Sequence, residues 1–577
     1  MFKKVVQNIF PSTSVFISLG IILIIYITTL FINNPQGFWI ADDSIKFLQV
    51  KSFLDKNYTD FSLSWPGTTV DPNYEYNPIP VPFSKVTNHK LYPIFPPIFA
   101  IISTIPFKYL GYPGLYILPF LASLLMLIGA AKIARTITTD IYISHCSILL
   151  AGLCTPIWFY SVVFWEHTIS IALCVWAVYF YLRYIKNQLT RDLILGSLLA
   201  VFSIYFRDDM YVFCAVLVFS TLFFIRVNRL KFLLISLGTL GCGILPLWTF
   251  QWVTISTPFG FHLTTHLFAS TGIGAYFLTR FSVLYNMVIA SNPNRGLSFL
   301  LTIPILAAFV LFPRVSLKIF KYAVPVYGII GFACGSVYLA GLLQAISPIA
   351  YLLQSSNSFL IAAPFLILAF LRHSNYTKIR VDPISIRWIW TMTLAYVCLY
   401  CLVAPQLGSN GIHWGNRFLL LAYPLLTILA AINIVQWIRL TPRSHILGGL
   451  LVVFIVLVSF GAQIKSIDLL HKKKDFSYRL NQMASKRIPQ VPIITYLPWV
   501  PSDLVEIFDR RMIFLPKSQQ QMYDLLAKLT ENNYSQFIFI ENYTDRTTNF
   551  PLFVVKDEGL NFFSLKFTQY TIPKNKP

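Results

Sequence analysis

Charge is scarce in this sequence. Asp, Glu, Lys and Arg make up 12% of its 577 residues, about half the share of a soluble globular protein. Acids are scarcer still, 23 against 45 basic residues, for a net charge of +22. No glycine-rich phosphate loop, zinc-type spacing of Cys and His, or internal repeat is present. P-loop chemistry, structural zinc and an inverted-repeat transporter are therefore without support. None of the eight cysteines (146, 154, 174, 214, 242, 334, 398 and 401) lies in 34–111 or beyond 464, so no disulfide framework holds those parts.

Apolar residues are abundant. The chain is 56% hydrophobic and 16% aromatic, with a mean hydropathy of +0.64 and several runs that exceed the ~20 residues needed to span a bilayer. It reads as a polytopic α-helical membrane protein of about thirteen spans. They fall near 13–33, 112–134, 143–163, 167–184, 191–206, 209–227, 232–254, 296–313, 322–343, 357–372, 386–404, 417–438 and 446–463. The first, behind Lys3 and Lys4, is too long for a signal-peptide core and lacks a small-residue cleavage pattern, so it reads as retained. With the N-terminus inside, the inner segments hold 19 Lys and Arg against three acids, Asp140, Asp192 and Asp382. The loop 34–111 holds six of each sign. The positive charge thus marks topology, and no nucleic-acid partner is expected.

The expected organisation is a membrane module, 1–463, whose first outer loop is 34–111, followed by an outer domain, 464–577. In that tail "VPIITYL" and "SQFIFIEN" read as strands, "QQQMYDLLAKLTENN" as an amphipathic helix and "FPLFVVKD" as a further strand. A small α/β domain for support or acceptor binding follows. In the loop, "DDSIKFLQVKSFLDKN" has apolar residues at 45, 48, 50, 53 and 54 and predicts a helix lying in the interface plane. "LYPIFPPIFAIISTIPFKYLG" is broken by four prolines and predicts an interfacial or re-entrant piece.

Ionisable groups near a membrane are costly and mark function or a buried pair. On the predicted outer side they are Asp42 and Asp43, Glu166 and His167 in "FWEHTIS", Arg207 with Asp208 and Asp209, Arg280, Arg295, and His413 with Arg417. Each has a plainer role open to it. Asp42 is placed to cap a helix beginning near Ser44, Arg207 can pair with Asp208 or Asp209, and Glu166–His167 can mark a turn. Arg280 and Arg295 can anchor at the interface. A cap uses one carboxylate, however, which leaves the second of the pair to explain.

With these residues in view, the chain resembles the C-type glycosyltransferases (the GT-C fold). It is similar to those that use polyprenyl-phosphate sugars, such as protein O-mannosyltransferases and lipid A aminoarabinose transferases. Four segments carry the resemblance: "ADDSIKFLQ", "FWEHTIS", "NPNRGLSFLLTIPIL" and "HWGNRFLLLAYPLL". One departure is that the family often has Asp-Glu where this chain has Asp-Asp. The resemblance implies attack of an acceptor hydroxyl or amine on the anomeric carbon, with inversion and departure of polyprenyl phosphate. It covers nearly the whole chain and implies a bundle of this span count with an outer C-terminal domain.

That chemistry needs a carboxylate to take the nucleophile's proton and cations for the leaving phosphate. Asp42 aligns with the family's acidic position and is expected as base, with Asp43 as orienter; repulsion between neighbours would raise one of their pKa values. Arg417 is the first candidate for the donor phosphate, followed by Arg295 and Arg207, with Lys90 weaker. His413, Trp414, Glu166, His167 and Asp208 are expected around the sugar or acceptor, and Trp65, Tyr74 and Tyr76 can stack on it. The adjacent carboxylates can also hold Mg²⁺ or Mn²⁺, as in the related oligosaccharyl transferases, but a metal-independent reaction is expected. The partners implied are a polyprenyl-phosphate-linked sugar, a lipid, glycan or protein acceptor, and membrane lipid. A bacterial inner membrane with a periplasmic site is the expected setting.

A transporter or flippase of a lipid-linked saccharide is the rival reading. It predicts charges near the midplane or helices broken in repeated positions, whereas here they gather at predicted outer ends. An envelope assembly protein acting through its tail would not need RDD, HWGNR and the acidic pair together.

Overall fold

A computed structural model describes residues 15–225, 228–267, 273–288, 358–370, 380–404, 413–440, 446–486, 488–542, 554–557 and 561–572. The predicted spans 296–313 and 322–343, and Arg295, lie outside them. Two compact units emerge. Unit 1 comprises Met1–Phe31, Tyr116–Phe259 and His266–Leu469, and unit 2 comprises Ile32–Leu115, Gly260–Thr265 and Leu470–Pro577. The first loop and the tail therefore belong to one unit, where the sequence reading had placed the loop with the membrane helices.

Unit 1 is helical. Among the described residues seven helices are long and apolar enough to cross a membrane, and the chain is an integral membrane protein. Several predicted spans are shorter in the structure. The 143–163 segment gives Ile141–Leu153 and then Ile157–Ser161, because Pro156 cannot continue the first helix. The 357–372 segment gives only Phe359–Ala362 and a 3₁₀ turn, Pro364–Phe370, split by Pro364 in the same way. The last helix, by contrast, runs on from Ile446 to Lys486, past the predicted end at 463. His167–Asn187 packs between Ile117–Ile137 and Thr190–Ile204, and Ala422–Leu440 packs on Ile141–Leu153 and the 3₁₀ turn.

The three acids of the predicted inner segments all have structural work. Asp140 caps Ile141–Leu153 by accepting the Tyr142 N–H at 3.0 Å and pairs with Arg439. Asp382 caps Pro383–Val403 through the Ile384 N–H at 3.1 Å, with proline at the first helical position, and lies 3.0 Å from Lys186. Asp192, fully buried, pairs with Arg183 at 3.2 Å.

Unit 2 contains a hairpin, β1 (Ser84–Thr87) with β2 (Lys90–Pro93), and a mixed sheet. The sheet strands are β3 (Ile493–Thr495), β4 (Ile513–Phe514), β5 (Gln536–Asn542), β6 (Val554–Asp557), β7 (Asn561–Phe562) and β8 (Leu565–Thr571). Their order is β4-β3-β5-β8-β6, with β7 beside β8. β3 lies parallel to β4 and β5, and β8 runs antiparallel to β5 and β6. The expected helix is present as Gln519–Glu531. The first loop covers the open edge of this sheet. The Trp65 indole N–H donates to the Ile513 carbonyl at 3.1 Å, and the Leu515 N–H donates to the Tyr76 carbonyl at 3.0 Å. Trp65 is 4% exposed, with its ring edge-on to Phe514 and tilted against Tyr74. These aromatics shield β4 instead of presenting a stacking platform, because an uncovered edge strand is an aggregation template.

Helix Ala41–Asp55 is not amphipathic in effect: eleven of its fifteen residues are buried. Its polar side chains are taken up inside unit 2. The Lys46 ammonium lies 3.9 Å from the Phe95 ring centroid, and the Ser52 hydroxyl donates to the Ser62 carbonyl at 2.7 Å. The proline-rich segment forms β2 and then a helix, Pro97–Leu110, whose first residues tolerate proline. From Gly260–Thr265, the Phe261 ring packs against Tyr92 and beneath Lys85.

Trp65→Phe keeps a ring in place but leaves the buried Ile513 carbonyl without its donor, an expected loss of about 1–3 kcal/mol. A lower melting temperature of the full chain in detergent checks it; an unchanged one contradicts the edge-covering role.

Candidate functional site

The acidic pair sits at the first turn of helix Ala41–Asp55 in unit 2. The cap is Asp43, not Asp42, because the helix begins three residues before Ser44. Asp43 reaches back to accept the N–H groups of Trp39 and Ile40, at 2.8 Å each, leaving neither donor orphaned at the helix start. Burial pushes its carboxyl up to about 7, against the pull of those two N–H groups; Asp42 adds a smaller push and Lys474 a smaller pull. The expected rise is therefore present, but desolvation is its main cause rather than repulsion within the pair. The segment just before is pressed on the helix Ile446–Lys486. A Cβ added at Gly37 would lie 1.9 Å from the Lys474 carbonyl oxygen, so only glycine fits that approach.

Lys90, on β2, is half-exposed and pairs with Asp60 at 3.1 Å. Trp65 and Tyr74 are used in the sheet-edge packing. Of the unit 2 candidates, Asp42 and Asp43 alone share a helix turn.

The second cluster lies in unit 1. Arg207 follows Thr190–Ile204, and its fork is closed by Asp209: Nε and Nη2 donate to the two carboxylate oxygens at 2.9 and 2.6 Å. The Tyr400 hydroxyl donates to the same carboxylate at 3.1 Å. The remaining Nη1 meets His167 Nε2 and lies 3.8 Å from Glu166. The His167 ring is bracketed by Tyr160 and Trp165, at centroid distances of 5.3 and 4.7 Å. Burial alone would favour a neutral Arg207, but Asp209 and Glu166 outweigh it and hold the guanidinium protonated. Of the two aspartates open to Arg207, Asp209 is its partner. All of the Arg207 guanidinium nitrogens are engaged within this network.

The HWGNR segment is built on Gly415, whose φ of +60° places it in the left-handed region, with Pro156 and Tyr423 where a Cβ would go. Asn416 accepts the N–H groups of Phe418 and Leu419 at 3.1 and 3.2 Å and starts the 3₁₀ turn Arg417–Leu419. Arg417 is thereby set over two ring faces, 5.1 Å from Trp165 and 5.0 Å from Phe418. Phe418 also stacks on Tyr400 and stands under Arg207, so one aromatic surface joins both arginines. His413 is fully buried against Phe418. Trp414 is buried too, its N–H donating to Gln463 at 3.1 Å. Arg280 donates to the Ala404 carbonyl.

The structure thus gathers Glu166, His167, Arg207, His413, Trp414 and Arg417 in one unit, with Asp42 and Asp43 together in the other. Tyr400 and Asp209 were missed as site residues. Nothing in "VCLYCLV" flags the tyrosine, and two adjacent aspartates offered no means of choosing between them.

Removing one member of a buried ion pair costs about 3–5 kcal/mol. Asp209→Ala is expected to lower the melting temperature far more than Asp208→Ala; equal shifts would contradict the pairing. Asp43 sets a pH dependence of its own. With its folded pKa raised to about 7, its contribution to stability is complete below about pH 4, is lost as pH rises towards 7, and is level above. Asp43→Asn should flatten this part of the melting-temperature profile.

No protein-family model matches the sequence, and no curated protein matches it significantly. Among solved structures the chain is similar to the archaeal oligosaccharyltransferase AglB from Archaeoglobus fulgidus, in complex with an inhibitory peptide and a dolichol-phosphate. There the identity is 10%, coverage is 91% of this chain and 69% of the other, and the TM-score is 0.45. It is also similar to ArnT from Cupriavidus metallidurans. The apo state gives 13% identity, 96% and 97% coverage and a TM-score of 0.42. The form bound to undecaprenyl phosphate gives 14%, 97% and 98%, and 0.39.

Proposed function

We propose that the chain transfers a sugar from a polyprenyl-phosphate donor to an acceptor on the outer, periplasmic side of a bacterial inner membrane, with inversion. The observation that carries the reading is Arg417. The WGNR turn, shaped by Gly415 and Asn416, holds a permanent cation across Trp165 and Phe418, immediately before an apolar helix. A cation braced at the end of a span suits a lipid phosphate.

In this reaction Asp42 takes the proton from the acceptor hydroxyl or amine as its lone pair attacks the anomeric carbon. The bond from that carbon to the phosphate oxygen breaks on the opposite face, and polyprenyl phosphate leaves with the electron pair. Arg417 stabilises the charge gathering on it. Asp43, occupied as the cap, fixes the turn that carries Asp42. Arg207 and Asp209, with Tyr400, hold Phe418 and so the face on which Arg417 rests. Glu166, His167, His413 and Trp414 supply polar and aromatic surface for the sugar.

The donor set argues for a reaction without a metal. Both oxygens of Asp43 accept backbone N–H groups, so the adjacent pair is poorly arranged as a two-carboxylate clamp for Mg²⁺ or Mn²⁺, and no step runs through one.

The test is release of polyprenyl phosphate from radiolabelled polyprenyl-phosphate sugars in proteoliposomes. Loss of a general base or of a charge-stabilising donor typically costs about 10²–10⁴-fold and 10²–10³-fold respectively. Asp42→Asn and Arg417→Ala are expected in those ranges, and wild-type turnover in both would remove the assignment.

A further inference from the structure

Unit 2 holds a cleft of about 380 Å³ between the end of helix Ile446–Lys486, the turn 506–511 and residues Gln36, Tyr112 and Gln490. Its lining is unusual. Small-molecule sites are mostly apolar with a few polar groups; here Ile507 is the sole aliphatic residue among nine. That composition disfavours a lipid tail or an apolar peptide side chain, and suits a ligand with many hydroxyls.

Part of the lining is rigid. The Tyr112 hydroxyl donates to Glu506, and the Glu506 N–H donates to Asn481 at 3.0 Å. Arg511 is tied down by donating to the carbonyls of Ile488 and Pro489 at 2.8 and 2.9 Å. Ser485 donates to the Gln482 carbonyl at 3.2 Å, and four other lining side chains are unengaged. Among the described residues, no protein hydrogen bond is made by the side-chain amides of Gln36, Gln482 and Gln490 or by the Arg510 guanidinium. Each amide offers a donor and an acceptor, the pairing that a ring of sugar hydroxyls requires. Arg510 is exposed and offers a two-pronged fork that matches a carboxylate. The neighbouring Asp509 does not cancel it, being paired with Lys51 at 2.9 Å. With two arginines against one glutamate, the cleft carries net positive charge.

We infer that this cleft binds a saccharide bearing a carboxylate, with Arg510 on the carboxylate and the three glutamines on the hydroxyls. The volume lies at the lower end of the ~300–1,000 Å³ range of small-molecule sites, which fits a short segment. The inference goes beyond the proposed transfer reaction and stands on unit 2 alone.

The experiment is isothermal titration of the full chain in detergent with digalacturonate and with its neutral counterpart galactobiose. Wild type is expected to bind digalacturonate at least tenfold more tightly than galactobiose. Arg510→Ala should lose at least tenfold for the acid and little for the neutral sugar, and Gln482→Ala should weaken both. All these side chains are at the surface, so melting temperatures should stay within a degree or two of wild type. Equal affinity for the two sugars, wild-type affinity in Arg510→Ala, or no titratable binding of digalacturonate by wild type overturns the inference. Each variant is also assayed for donor turnover. Binding lost with turnover intact separates the cleft from the transfer reaction, and binding kept without any turnover supports the cleft while removing the reaction.

Discussion

The carboxylate of Asp43 closes the start of a helix that has little exposed face, by accepting the N–H groups of Trp39 and Ile40. Much of unit 2 depends on that arrangement. The turn it fixes presents Asp42, and the residues just before it meet the Lys474 carbonyl at a distance that admits only glycine at 37. The charge is costly there, because burial opposes ionisation more strongly than the two N–H groups favour it. A group so placed is a compromise between holding the backbone and staying neutral.

Unit 1 meets the same physical difficulty with a different solution. Acids are few and apolar surface is plentiful, so a buried cation needs a carboxylate or an aromatic face beside it. Asp209 answers Arg207, with Tyr400 filling a remaining acceptor site. Arg417 lies over the faces of Trp165 and Phe418, and an aromatic face stabilises a cation.

Hydropathy made the membrane helices legible, and the helix caps at Asp140 and Asp382 stand where an acid precedes an apolar run. The principal strands β3 and β5 and the helix between them also follow from their periodicity. Other features were hidden for identifiable reasons. The hairpin 84–93 and the strand β8 carry too few alternating residues to declare themselves. Trp65 and Tyr74 looked like a sugar platform because an aromatic ring serves equally to stack on a ligand or to shield a strand edge, and only the position of Ile513 decides. The choice between Asp42 and Asp43 as cap turned on where the helix begins, and that between Asp208 and Asp209 as partner on the turn that joins Thr190–Ile204 to Met210–Leu222.

The edge covered by Trp65 has a consequence for how the chain is made. The indole and its acceptor are 448 residues apart, and Lys51 and Asp509 are 458 apart. At a synthesis rate of about 5–20 residues per second, the loop leaves the ribosome roughly 20–90 s before its partner strand exists. During that interval most of the membrane helices are inserted while the loop's tryptophan and tyrosines have no sheet to cover. Unit 2 is thus a product of late assembly, its earliest and latest segments meeting only after everything between them has been laid down.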